Sequence, residues 1–127
     1  MPKEERLHSK KLIEQLFSNT GSKALTAFPV RAVFLTIERE AQVMPPVMMM
    51  VSVSKRHFKH AVDRNRVKRQ LREAYRKNKS ELVDRMTAQH PGETLCVAFV
   101  WIDSRQAATS RVDHCMQQLL QRIGERL

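Results

Sequence analysis

Apolar positions along the chain fall into two rhythms. Val67, Leu71, Ala74, Tyr75, Leu82 and Met86, with Asn78 among them, recur at spacings of three and four. At 3.6 residues per turn they make one stripe on a helix that begins near 61–63 and fades near Met86. Leu12, Ile13, Leu16 and Phe17 give a shorter stripe, with Ser9 as N-cap and an end near Asn19-Thr20-Gly21. Val112, Met116, Leu119, Leu120 and Ile123 give a third, which Thr109 or Ser110 can cap. Between these lie stretches rich in β-branched and aromatic residues. Residues 25–38 are interrupted by Pro29 and read as a short strand or extended approach followed by a strand over 30–38. Residues 47–54 read as the next strand, and 38–46, polar and ending in Pro45-Pro46, as a mobile hairpin loop between the two. Residues 95–102 are apolar without alternation, which suits a central or parallel strand covered on both faces.

The expected order is α-β-β-β-α-β-α over a single domain, 1–127. The fold class is α+β, a four-stranded mixed sheet packed with helices. Strand, long helix and last strand form a crossover, right-handed by the ordinary rule. Alternation puts Phe34 with Val30, Ala32 and Thr36 on one face, and Arg31 with Val33, Leu35 and Ile37 on the other. Both faces are mainly apolar, so either can form the core. The run Met48-Met49-Met50 reads as strand interior rather than a metal or promiscuous-binding surface. Phe58, between strand and long helix, fits either a buried anchor or a base-stacking residue.

Charge changes this picture in one place. Residues 55–79 hold eleven of the Lys and Arg residues against Asp63 and Glu73, a formal +9 out of +10 for the whole chain. On the long helix Asn65, Lys68, Arg69, Arg72, Arg76 and Lys79 lie more than a quarter turn away from the apolar stripe. A solvated helix gains by mixing signs, because like charges at i,i+4 are destabilising. Here nearly all are positive and Arg predominates, whose planar fork suits bidentate contact with phosphate. The pattern indicates a polyanion-binding face, and nucleic acid is the commonest polyanion. With one Trp, one Tyr and five Phe in the chain, stacking platforms are scarce and phosphates become the expected handle.

Other chemistry finds little support. Cys96 and Cys115 sit in apolar settings and read as buried free thiols with no nearby base. His57 and His60 have helix-like spacing, but no ligand pattern completes a zinc site, and no metal is expected on the protein. Three glycines leave little room for a phosphate-binding loop or nucleophile elbow, and no paired carboxylates suit acid and base work. No catalytic residue is expected. The start MPKEERLHSKK lacks an apolar export core and the longest apolar run is too short for a membrane span, so a cytoplasmic protein with no membrane partner is expected.

The segment Ala61-Val62-Asp63-Arg64-Asn65-Arg66-Val67-Lys68-Arg69-Gln70-Leu71-Arg72-Glu73 resembles the signature of the bacterial ribonuclease P protein subunit: an Arg-Asn-Arg core, Lys-Arg, then Arg one turn on. The likeness spans nearly the full chain. It implies a left-handed crossover and an accessory role in removing the 5′ leader of precursor transfer RNA, the chemistry being carried by an RNA subunit with bound Mg2+. It further implies that Arg64, Asn65, Arg66, Lys68, Arg69, Arg72 and Arg76 contact that RNA. Phe17, Phe34, Lys55 and Arg56 are implied at the leader cleft, while Ile13 stands where relatives often have a second Phe. By helical angle Arg64 lies near the apolar stripe, so it fits equally a clamp on the first turn. The alternative is a ribosomal or other structural RNA-binding protein without a cleavage role. A DNA-binding helix-turn-helix is disfavoured because a strand, not a helix, precedes the basic segment. A self-sufficient nuclease lacks metal-binding carboxylates near the basic face.

Overall fold

The computed structural model describes residues 6–7, 10–18, 21–38 and 45–127. Helix α1 (Lys10–Phe17) is followed by strands β1 (Lys23–Ala27), β2 (Val30–Glu38) and β3 (Val47–Val53). Helices α2 (Ala61–Asn78) and α3 (Ser80–Gln89), strand β4 (Glu93–Trp101) and helix α4 (Thr109–Glu125) complete the chain. This is the expected α+β order, with the long helix divided in two. Asn78 turns its side-chain amide back onto the Ala74 carbonyl at 2.8 Å, a bond that competes with the regular helical ladder. The apolar stripe continues past the break, since Leu82 and Met86 are buried like Val67, Leu71, Ala74 and Tyr75.

The sheet order is β1-β2-β4-β3, antiparallel except for the parallel pair β3 and β4. The expected hairpin between 30–38 and 47–54 is therefore corrected: β4 lies between β2 and β3. Six consecutive residues of β4, Thr94 to Phe99, are buried, and only an inner strand can cover both faces of such a run. The loop reading for 38–46 falls largely on 39–44, outside the described residues, as do Ser9, Asn19 and Thr20 of the first helix's expected ends. Pro29 stands in the turn between β1 and β2, joined to Phe28 by a cis peptide bond. The expected Thr109 or Ser110 cap is also corrected: Ala108 is the N-cap of α4, with no side-chain cap bond.

The sheet separates two apolar clusters. Val30, Ala32 and Phe34 face α2, α3 and α4 with Met49, Val51, Val97, Phe99 and Trp101. Val33, Leu35, Cys96 and Ala98 face the other way, under Leu12, Ile13 and Leu16 of α1. Both cysteines are free and buried. Burial pushes the Cys96 thiol up to about 11, which keeps it protonated and poorly nucleophilic. No helix among the described residues is long and apolar enough to cross a membrane.

Candidate nucleic-acid interface

Four buried side chains seat α2 and decide which way its charge points. Val67, Leu71, Ala74 and Tyr75 bury one side against α4 and β3. Tyr75 stacks obliquely on Phe99, with ring centroids 5.9 Å apart. The turn before the helix is built on Ser54, whose carbonyl accepts from His57 and Phe58 and whose Oγ accepts from the Arg56 amide. Phe58 is the buried anchor of this turn. The loop after β4 lashes the helix's first half in place: Gln70 donates to the Ala107 carbonyl at 3.1 Å, Gln106 donates to Asp63 at 3.1 Å, and His57 meets Ser104.

The opposite side of α2 is exposed and cationic. Asn65, Arg66, Arg69 and Arg76 are exposed, and Lys68 and Arg72 are half-buried. Arg76 is bound to Glu73 through a double hydrogen bond, with Nε to Oε2 at 3.1 Å; this pairing holds the Glu73 carboxyl below its usual range and raises Arg76. Arg72 is held below its usual value first by partial burial and then by the positive charge of Arg6. That coupling marks a cleft of about 400 Å³ lined by Arg6, Asn65, Arg69, Arg72, Glu73 and Arg76.

Arg64 points elsewhere. Its Nη1 donates to the carbonyls of Phe58 at 2.8 Å and Lys59 at 2.9 Å, so this guanidinium closes the turn that leads into the helix. Lys55 and Arg56 are exposed in that turn. Phe17 and Phe34 are not brought together. Phe34 is 3% exposed in the cluster under α2, α3 and α4, whereas Phe17 is 46% exposed at the end of α1, on the other sheet face. A cleft holding both rings does not form.

Two features were missed from sequence. Arg6 reaches α2 because residues 6–7 run beside the free edge of β3, and a two-residue strand has no periodicity to read. On the α1 face, Thr26, Arg31, Val100 and Ser52 make one row across β1, β2, β4 and β3. Thr26 and Arg31 are exposed and the other two half-buried, so the row lies beyond the area that α1 covers. The signal for it was Arg31, the one charge in an otherwise apolar alternation.

Residues 1–124 match the family model described as Ribonuclease P. The chain is 37% identical over 125 residues to the ribonuclease P protein component of Porphyromonas gingivalis, covering 98% of this chain and 86% of that protein. It is 39% identical over 69 residues to the component from Chlorobium phaeobacteroides, covering 52% of this chain and 47% of that protein. Its fold is similar to that of the RNase P protein from Thermotoga maritima, with a TM-score of 0.66 at 19% identity, covering 93% of this chain and 96% of that one. The Staphylococcus aureus RNase P protein gives 0.64 at 17% identity, covering 94% of each chain. With the Arg-Asn-Arg helix seated as described and the match running along nearly the whole sequence, the chain belongs to the bacterial ribonuclease P protein component family.

Proposed function

We propose that this protein docks the exposed face of α2 on ribonuclease P RNA and, as an accessory subunit, assists removal of the 5′ leader from precursor transfer RNA. The observation that carries this reading is the predominantly cationic face of α2, with Asn65, Arg66, Arg69 and Arg76 exposed and Arg72 half-buried, held by a fully buried stripe behind it. Contacts of this kind grip phosphates and fix position with little sequence preference. Binding should follow RNA shape and charge.

The leader is assigned to the α1 side of the sheet. Arg31, Ser52 and Val100 offer it a floor, Lys55 and Arg56 lie just beyond the end of β3, and Phe17 supplies an exposed ring on the same face. Phe34 serves the core. The protein's contribution is charge neutralisation and placement of substrate, which shortens the search for a reactive geometry. Mg2+ belongs in this reading to the RNA. Among the described residues no three His, Cys, Asp or Glu side chains come together to hold a metal. A cytoplasmic location follows from the two RNA partners.

The test is cleavage of a precursor transfer RNA by bacterial ribonuclease P RNA at low magnesium, with and without this protein. Stimulation that requires a 5′ leader is expected, and Arg31→Ala should reduce it for substrates with a leader only. No stimulation, with RNA binding retained, would overturn the accessory role and leave a structural RNA-binding protein.

A further inference from the structure

The margin of the sheet opposite β3 is open. β1 pairs with β2, and no strand among the described residues lies on its other side. The turn at Phe28-Pro29 closes the hairpin of β1 and β2, with Ala27 facing Val30 across it. In a two-residue hairpin that closing pair is hydrogen-bonded, and the residues between bonded pairs turn amide and carbonyl away from the partner strand. Lys23, Leu25 and Ala27 therefore bond to β2, while Ala24 and Thr26 turn their backbone groups outward. The Thr26 carbonyl bears this direction out, because it accepts from Nη1 of Arg122 on α4 at 2.9 Å. Farther along the same edge the Phe28 carbonyl accepts from Sγ of Cys115, also on α4, at 3.5 Å. Side chains of one helix thus reach around the sheet to its outermost carbonyls.

An open edge is a template for a further strand, and natural sheets blunt theirs with charged side chains. The side chains of β1 offer little obstruction by themselves. Ala24 and Thr26 are small and exposed, and Lys23 is the strand's one charge. A second β1 placed antiparallel about a twofold through Leu25 sets Ala24 opposite Thr26 in both directions, so the outward amides of each copy meet the outward carbonyls of the other. That register puts each Lys23 opposite Ala27 rather than opposite a like charge. Phe28, 53% exposed, adds an apolar ring at the end of the same edge. The occupant this edge fits is a second copy of the chain. Arg122 opposes such pairing in two ways. It holds the Thr26 carbonyl that the second copy's Ala24 amide would need, and the twofold would bring two Arg122 guanidiniums together within two residues along the ladder. We propose that Arg122 is an edge guard, whose hold on Thr26 keeps the outward edge of β1 from pairing with the same edge of a second copy. This goes beyond the RNA-docking reading and stands independently of it. It also protects the α1 face, since the row of Thr26, Arg31, Val100 and Ser52 reaches the sheet margin at Thr26, and pairing would run that row into a second molecule.

The test is self-association of the full chain, read by sedimentation velocity over a concentration series at a salt level that screens its net charge. Wild type should sediment as a monomer throughout. So should Arg111→Ala, which removes the same charge from an exposed position of the same helix. Arg122→Ala should dimerise, with association about tenfold tighter than wild type or more, because a guard is lost from each of two copies. Adding Thr26→Pro to Arg122→Ala takes away an outward amide that β2 does not use, and should restore the monomer. A proline variant that fails to fold leaves the decision to amide exchange in Arg122→Ala alone. There the Ala24 and Thr26 amides should slow as concentration rises, while the Leu25 amide, already bonded to β2, stays as it is. A monomeric Arg122→Ala overturns the guard, as does a wild type or Arg111→Ala that associates equally well. A dimer that survives the folded proline variant, or whose Ala24 and Thr26 amides exchange as fast as in the monomer, overturns β1 as the pairing edge.

Discussion

The Arg64 guanidinium donates through Nη1 to two successive carbonyls, those of Phe58 and Lys59, across the turn that brings β3 into α2. It belongs to the first Arg of the Arg-Asn-Arg core, yet in the free protein it ties together two carbonyls of the turn that precedes the helix. The helical angle already placed it near the buried stripe, so this was legible from spacing, whereas motif resemblance alone grouped it with its neighbours. Arg64→Ala should cost about 1 to 2 kcal/mol in urea unfolding, the range for losing charge-assisted hydrogen bonds that are only partly buried. Arg66→Ala, with an exposed side chain, should stay within about 0.5 kcal/mol of wild type. Equal stabilities for the two variants would show that the clamp contributes nothing. Phe34 makes the complementary case: its place on a sheet face was legible from alternation, but which face became the core depended on where three helices settled.

At the scale of elements, α2 is a helix whose own charges oppose it. Arg72 has Lys68, Arg69 and Arg76 within three or four residues along the helix and Arg6 across the cleft, all of one sign. Burial of Val67, Leu71, Ala74 and Tyr75 outweighs that repulsion, each large side chain contributing about 1.5 to 3 kcal/mol against a few tenths for each charge pair. Under the proposed function those charges are kept for RNA. Arg72→Glu converts the repulsions to attractions and should raise stability in the absence of anions by about 0.5 kcal/mol, discounted for solvent screening. The same variant should gain less in thermal midpoint from added inorganic pyrophosphate than wild type does. If it is instead less stable at low salt, the stripe is not under electrostatic load and the trade-off is wrong. The element types, the crossover and the apolar inner strand were readable from periodicity. The false hairpin between β2 and β3 was not avoidable in that way, because adjacency in sequence says nothing of a strand that arrives forty residues later and inserts between them. The helix break at Asn78 was hidden by a stripe that runs on regardless.

For the molecule as a whole, the deciding quantity is how its charge is distributed. Of a formal +10, +9 lies in residues 55–79, and the fold turns most of that window onto one side by burying the other against α4 and β3. Long-range attraction of RNA should therefore come from a single direction, steering approach as well as holding the complex. This follows from sequence and fold together: the count was visible in the chain, the direction was fixed by the buried stripe, and the contribution of Arg6 needed the edge of β3. Each phosphate neutralised by a cation releases counterions, so log K for RNA falls with log salt with a slope of about −0.7 to −0.9 per contact. Arg66, Lys68, Arg69, Arg72 and Arg6 engaged together predict a slope of roughly −3 to −5 for ribonuclease P RNA. Replacing any one of them with Ala should make the slope shallower by about one unit. Arg85 and Arg126 are exposed, on α3 and at the end of α4, and contribute as much to net charge. Replacing either with Ala should leave the slope unchanged. A slope that tracks net charge whichever Arg is removed would mean diffuse attraction with no docked face, and the oriented interface on α2 would have to be abandoned.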